Sequence, residues 1–128
     1  MSEVLLYNIE SKKEIKIKML CHKLNIGFRS VKKEEYGYLI GYLLGMDSDD
    51  TQGTGEDFSD EMLLLSDIES GMLTLFLTLM RKQKTPVELK AVRTETNARF
   101  TSYELHRELC AENAAIKRGV TAHQSEQP

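Results

Sequence analysis

Small hydroxyl and amide side chains follow the last strand-like stretch of the chain. Thr94, Thr96 and Asn97 come directly after the apolar run 89–92 and before a helix that begins near Thr101. Open α/β sheets usually bind ligands beyond the carboxyl ends of their strands, close to helix N-termini. The spacing therefore predicts one wall of a binding site for a small polar or anionic ligand.

Two earlier turns have the same character. Asn8 and Ser11 follow the first apolar strand, and Ser66, Asp67 and Ser70 follow the third. Both turns lead into helices, whose free N–H groups and dipole favour an anion. The predicted ligand-binding residues are Asn8, Ser11, Ser66, Asp67, Ser70, Thr94, Thr96 and Asn97. The same residue types cap helices and form Asx turns, so a purely structural role is the alternative at each position.

The sequence contains no recognisable catalytic constellation. A receiver-like phosphoacceptor site would need acids where Asn8 stands and a lysine after a fifth strand, and no fifth strand is predicted. Cys21 falls within a helix, where nothing lowers its pKa as a reactive thiol requires. We expect no catalytic residue and no cofactor. The alternative is a small enzyme that acts on an anionic or phosphorylated substrate with Asp67 as its acid or base.

Four side chains could in principle bind zinc, namely Cys21, His22, His106 and Cys110. His106 and Cys110 are four residues apart on the last predicted helix, which is predicted to share a face with the first. Neighbouring residues of a helix, however, point about 100° apart. Cys21 and His22 therefore do not easily reach one ion, and we expect no metal site.

The composition is that of one water-soluble domain. The chain has 128 residues, of which 41% are hydrophobic and 29% are charged. No apolar run approaches the roughly 20 residues that cross a bilayer, and no signal peptide is recognisable. The two cysteines are far apart, as is usual for reduced thiols in the cytoplasm. We expect a cytoplasmic protein without a membrane partner, and the net charge of −3 argues against nucleic acid as a partner.

Charge is unevenly distributed along the chain. Residues 1–46 contain eight Lys or Arg and five Asp or Glu, whereas residues 47–61 contain seven acids and no base. The segment 47–60 is predicted to be an acidic, mobile loop, either a solvated connector or a surface for a basic partner. The lysines of the first helix surround it rather than lining one face, which indicates solvation. They are Lys12, Lys13, Lys16, Lys18 and Lys23.

Hydrophobic periodicity predicts four strands that alternate with four helices. The strands are predicted at 4–7, 28–32, 62–65 and 88–93. The helices are predicted at 11–24, 34–44, 70–79 and 101–117. In the first helix the buried stripe comprises Ile17, Leu20, Cys21 and Leu24. Ser11 with Glu14 and Thr101 with Glu104 have the spacing of capping boxes, and Ser70 is predicted to cap the third helix. Gly119 is predicted to end the last helix, which gives a single α/β domain over 1–119 and a disordered tail over 120–128.

The alternation of strands and helices indicates an α/β fold. We expect a small three-layer sandwich, a four-stranded parallel sheet in the order 2-1-3-4 with helices on both faces. Strands one and three are the most apolar and should be central. Right-handed crossovers then place helices one and four on one face, and helices two and three on the other. The alternative is a ferredoxin-like α+β fold in which strand three runs antiparallel.

The second predicted helix contains glycines at every fourth position. Gly37, Gly41 and Gly45 would leave one helix face bare. Each interior glycine lowers helix stability by about 1 kcal/mol, so close packing against a neighbour is the expected compensation. An interaction subunit that uses this helix or the acidic loop, including a homodimer, is therefore a further functional alternative.

Several separated segments resemble a small bacterial family known as domain of unknown function 3783. The segments are VLLYNIESKKEIKIKMLCHKLNIG, EEYGYLIGYLLG, FSDEMLLLSDI and LKAVRTETNARFTSYELHREL. They occur in the same order over about residues 3–113. The resemblance implies a bacterial origin but brings no activity, cofactor or catalytic residue. Taken with the residue patterns, it leads us to expect a non-enzymatic module that binds a small polar ligand or a protein partner at the C-terminal edge of its sheet.

Overall fold

A four-stranded sheet with helices on both faces forms the structure, a computed structural model that describes residues 1–126 and the side chains of residues 1–117. The strands are β1 Glu3–Tyr7, β2 Gly27–Ser30, β3 Met62–Ser66 and β4 Leu89–Val92. The helices are α1 Ser11–Lys23, α2 Ile40–Leu43, α3 Ser70–Lys82 and α4 Ser102–Glu126, with 3-10 turns at Lys33–Glu35 and Asn97–Arg99. None of the helices in this part of the chain has the length and hydropathy needed to cross a membrane.

The strand order is β2-β1-β3-β4, as predicted, but the sheet is mixed. The pairs β1–β2 and β3–β4 are parallel, whereas β1 and β3 are antiparallel with Leu5 opposite Leu64. The prediction of a parallel sheet is therefore wrong. The reversal of β3 agrees with what the ferredoxin-like alternative required. A strand's apolar pattern reports its burial but not its direction.

The helices are distributed differently from the prediction. α1 and α3 pack together on one face, and α2 and α4 cover the other. In a crossover of fixed hand, the helix lies on the opposite face of the sheet if the second strand is added on the other side of the first. The helix also changes face if both strands run in the opposite direction. Because β3 and β4 differ from β1 and β2 in both respects, the two changes cancel and α3 joins α1.

The central strands supply both halves of the core. Val4 and Leu6 of β1 point toward α1 and α3, whereas Leu5 and Tyr7 point toward α2 and α4. All residues of β3 are buried. Burial on both faces explains why these strands are almost continuous apolar runs rather than alternating ones.

The two βαβ units form an internal repeat with an offset of 59 residues. α1 and α3 each have 13 residues. A left-handed residue precedes each helix, Asn8 with φ 55° and Asp67 with φ 56°, and another follows it, Asn25 with φ 60° and Lys84 with φ 59°. The antiparallel pair Leu5–Leu64 also has the 59-residue offset. This register places an approximate twofold axis through that pair, so the halves are related by rotation.

The equivalent helices share a cap that differs from the prediction. The carboxylate of Glu10 accepts hydrogen bonds from the backbone N–H groups of Lys12 and Lys13, and Glu69 accepts one from Gly71. Ser11 and Ser70 are the first residues of α1 and α3 rather than their caps. A longer acidic side chain one residue earlier satisfies the free N–H groups instead.

The second predicted helix is broken into a 3-10 turn and the short α2. A Cβ at Gly37 would lie 2.4 Å from the carbonyl oxygen of Gly53, and one at Gly41 would lie 3.2 Å from that of Ala98. The predicted close packing is thus confirmed at two glycines. Gly45 instead has φ 74° in a turn, with open space beside it.

The last helix begins as predicted and ends later. Thr101 and Glu104 form the expected capping box, with bonds of 3.0 and 3.2 Å. The predicted end at Gly119 is wrong, because α4 continues to Glu126. Of the tail predicted to be disordered over 120–128, the part up to Glu126 belongs to this helix. Gln127 and Pro128 lie outside the described residues.

Candidate functional site

The mixed sheet separates the residues predicted to share one ligand site. Asn8 and Ser11 follow the carboxyl end of β1, and this end of β1 lies beside the start of β3 because Tyr7 pairs with Met62. The other predicted residues lie at the end of β3 or after β3 and β4, at the opposite edge of the sheet. They are Ser66, Asp67, Ser70, Thr94, Thr96 and Asn97. No single crevice contains both groups.

At the first edge, Asn8 holds a loop in place. Its amide Nδ2 donates to the carbonyl oxygens of Phe58 at 3.2 Å and Asp60 at 3.1 Å, and its Oδ1 accepts from the Tyr36 hydroxyl at 3.1 Å. The side chain therefore has partners at both ends. Ser11 is exposed on the first turn of α1.

At the second edge, the residues at the end of β3 and just after it also have structural partners. Ser66 is buried, and its hydroxyl accepts from Arg93 Nε at 3.0 Å. The carboxylate of Asp67 accepts from the Met1 amino group at 2.6 Å, which lowers the pKa of Asp67. Ser70 is exposed at the start of α3. These contacts fix the turn around the left-handed Asp67.

The residues after β4 close a turn on themselves. The Asn97 side chain accepts from the Thr94 N–H at 2.7 Å and donates to the Val92 carbonyl at 3.0 Å, and the Thr94 hydroxyl accepts from the Asn97 N–H at 3.0 Å. Thr96 is exposed and borders a small depression against α4. Two of the three predicted residues thus satisfy each other's polar groups.

His106 and Cys110 of α4 meet Asp60 from the segment before β3, but not in a catalytic arrangement. His106 Nε2 lies 3.0 Å from Asp60 Oδ1 and 3.4 Å from Cys110 Sγ. A nucleophile–histidine–carboxylate relay needs the two partners on different ring nitrogens. Desolvation, with the nearby Asp60 and Glu88 carboxylates, raises the pKa of the Cys110 thiol. The group therefore lacks an activated nucleophile.

The zinc arrangement considered from the sequence does not form. Cys21 lies in the core between α1 and α3, whereas Cys110 lies at the core under α4 on the other face. Burial raises the pKa of the Cys21 thiol to about 12. Among residues 1–117 no group of three or more His, Cys, Asp or Glu side chains is arranged to hold a metal ion.

A cleft of about 640 Å³ lies between the segment 54–60 and the first turns of α4. Phe58 anchors this segment, since its ring stacks on His106 at 4.0 Å and on Tyr36 at 4.7 Å. The cleft is lined by basic and acidic side chains together. They include Lys33, Arg107, Glu56, Asp57, Asp60 and Glu104. This mixture gives no net attraction for an anion.

A larger and more apolar groove lies on the opposite face, beside α1 and α3. It has a volume of about 840 Å³. Its apolar lining comprises Met19, Leu20, Phe28 and Leu79. Met19 is 67% exposed and Phe28 is 40% exposed, although both are large apolar side chains. We call this surface the lysine-rimmed groove, because its rim is formed by Lys16, Lys18, Lys23 and Lys82, together with His22 and Gln83.

Sequence reasoning missed this groove, although a signal was present. Ile15 and Met19 are four residues apart on α1 and lie outside its buried stripe, and both are exposed. The sequence pattern predicts instead that the lysines of α1 form a solvating ring around the helix. In the structure Lys13 instead turns inward to bond Glu61 and the Pro86 carbonyl, whereas three of the others line the groove.

Comparison with protein families matches residues 61–116 to the family described as Domain of unknown function (DUF3783). Comparison with curated proteins and with solved structures finds no match. The matched segment contains β3, α3, β4 and the first part of α4. The resemblance predicted for the segments before residue 61 stays a prediction. From Glu61 to Ile116, this chain resembles the domain of unknown function DUF3783.

Proposed function

We propose that this protein is a non-enzymatic binding module that receives a protein partner in the lysine-rimmed groove. The observation that carries the proposal is the exposure of Met19 and Phe28 beside a concave apolar surface. A group of exposed large apolar side chains surrounded by a polar rim is characteristic of interaction sites. The proposal keeps the protein partner expected from the sequence and moves its site from the sheet edge to the helical face.

The polar residues at the sheet edges support this choice indirectly. Asn8, Ser66, Thr94 and Asn97 already have intramolecular hydrogen-bond partners. A ligand at those positions would have to displace these bonds and compensate for them. Covering the groove instead removes apolar surface from water, which stabilises a complex by about 25 cal/mol per Å² before association costs are subtracted.

Site-specific photo-crosslinking in the native host tests the proposal. A photoreactive residue at position 19 is expected to give a discrete adduct, because it lies inside the groove. The matched control is position 112, which is exposed on α4 on the other face. Adding Leu79→Glu, which places a charge in the apolar lining, should remove the position-19 adduct. Equal adducts from both positions, or an adduct that Leu79→Glu leaves unchanged, would overturn the proposal.

A further inference from the structure

The rim of the lysine-rimmed groove carries charge of one sign. Four lysines and one histidine line it, and no Asp or Glu does, although the whole chain has a net charge of −3. Lys18 is 3.5 Å from Glu14. Within the described part of the chain, Lys16, Lys23 and Lys82 form no ion pair. Three ammonium groups are thus available to a partner beside an apolar surface.

We propose that the occupant is an acidic segment with interspersed apolar side chains, supplied by a different protein. This inference rests on the proposed function and specifies its partner. Apolar side chains of the segment cover Met19 and Leu79, and its carboxylates meet the rim lysines. Such a pairing buries apolar surface and matches charge at the same time.

The spacing along α1 restricts the shape of this segment. Lys16 and Lys23 are seven residues apart in one helix, which corresponds to about 10 Å at 1.5 Å per residue. Two carboxylates separated by about 10 Å fit positions i and i+7 of a partner helix. In an extended segment they fit positions about three residues apart. Met19 lies between these lysines, so the apolar side chain falls between the two acids.

Nucleic acid fits this surface less well. Phe28 is the one Phe, Tyr or Trp among the residues that line the groove, and the Lys18 ammonium lies 6.0 Å from the centre of its ring. A base that stacked on the ring would have to displace this contact. Single-stranded nucleic acid usually needs aromatic faces that are free to stack. The apolar lining is better matched by apolar side chains of a protein.

A second copy of the chain also fits less well. Its acidic segment, which follows α2, is anchored through Phe58 on the side of α2 and α4, whereas the groove lies beside α1 and α3. A loop-to-groove contact would therefore join unlike surfaces. Contacts of this kind form open chains unless a rotation closes them.

Peptide display on the purified full-length protein tests the inference. A random library is selected on wild type and counter-selected on Met19→Glu. We expect enriched peptides with an excess of Asp and Glu and with apolar residues between the acids. Their binding should weaken as salt is raised, because the Debye length shortens. Enriched peptides that are neutral or basic would overturn the acidic partner but leave the groove as a protein-binding site.

Two charge variants refine the test with one enriched acidic peptide as the probe. Lys16→Glu with Lys23→Glu should weaken binding by about tenfold, whereas the control Lys12→Glu, on the same helix outside the groove, should change it by less than about twofold. Equal effects of both changes would overturn the rim assignment. Enriched peptides that bind Met19→Glu as tightly as wild type, or no enrichment, would overturn the proposed function itself.

Two further measurements address the other occupants. Light scattering of the full chain should give a monomer at micromolar concentration. If it instead gives oligomers, and these are absent from the Lys16→Glu, Lys23→Glu variant, the groove would be assigned to a second copy of the chain. Binding to poly-uridine RNA, or to vesicles of phosphatidylserine and phosphatidylcholine, that the same variant abolishes would assign it to a phosphate-bearing partner. Either result would overturn the acidic segment.

Discussion

Asn8 combines a left-handed backbone with three side-chain hydrogen bonds. Asparagine tolerates positive φ better than most residues, and its amide both donates and accepts. The side chain ties the end of β1 to the backbone of residues 58 and 60 and to the Tyr36 hydroxyl. The same features that suggest a ligand site in the sequence therefore have a structural cause in the fold.

Replacing Asn8 with alanine should destabilise the protein by about 2 kcal/mol or more, because several hydrogen bonds are lost and alanine is strained at φ 55°. The measurement is urea unfolding followed by circular dichroism. Thr96→Ala is the control, since Thr96 is exposed, and it should change the free energy of unfolding by less than about 0.5 kcal/mol. Similar losses in both variants would contradict the tethering role.

The two cysteines should differ in reactivity. Burial raises the pKa of Cys21 to about 12, so at pH 8 its thiolate is scarce and shielded. Cys110 is only partly buried, although the pKa of its thiol is also raised. We expect Ellman's reagent at pH 8 to titrate one thiol slowly in the native protein and two in urea. Cys110→Ser should abolish the native reaction, and a native reaction that persists in this variant would show that Cys21 is accessible.

Among the elements, those with a strong periodic pattern could be predicted and the irregular ones could not. All four strands and the helices α1, α3 and α4 exist close to their predicted positions. The prediction of one continuous second helix is wrong, because close contacts at Gly37 and Gly41 and the left-handed Gly45 interrupt it. Backbone contacts between distant segments are tertiary facts that a local pattern does not contain. The glycines indicated close approach but not what approaches.

Gly37 should be the glycine least tolerant of substitution in this segment. An alanine Cβ would lie 2.4 Å from the backbone oxygen of Gly53, so the connection after α2 must shift. We expect Gly37→Ala to cost about 1–3 kcal/mol in thermal or urea unfolding. At Gly71 the nearest atom is the flexible carboxylate end of Glu69 at 3.2 Å, so Gly71→Ala should be much less costly. A neutral Gly37→Ala would show that the connection is loosely held.

At the scale of the whole molecule, the sequence predicted strand order but not strand direction. Apolar content identified β1 and β3 as central, which is confirmed. Their opposite directions depend on the long connection between α2 and β3, and no residue pattern encodes its path. The predicted binding site required all strands to be parallel. Because β3 is antiparallel to β1, the predicted residues lie at two opposite edges of the sheet. The sequence does contain a signal of the internal repeat, because Ile-Glu-Ser follows each central strand, starting at Ile9 and at Ile68, with an offset of 59 residues.

Leu5 and Leu64 lie on the approximate twofold axis, and we expect this pair to hold the two halves of the molecule together. Both are fully buried, they face each other across the antiparallel pair, and they belong to the same core cluster. Each Leu→Ala change should cost about 2–5 kcal/mol. Because the side chains share one packing environment, the double variant should lose less than the sum, with a coupling of about 0.5–3 kcal/mol.

The comparison pair for this cycle is Leu5 with Phe76, which lies in the core on the other face of the sheet. Their alanine variants should be additive within about 0.5 kcal/mol. Urea unfolding of the four proteins in each cycle gives both values. If the coupling energy of Leu5 with Phe76 is as large as that of Leu5 with Leu64, the stabilisation is spread through the sheet, and the central pair has no special role in holding the two halves together. Coupling confined to Leu5 and Leu64 would locate the cohesion of the two repeats at their axis.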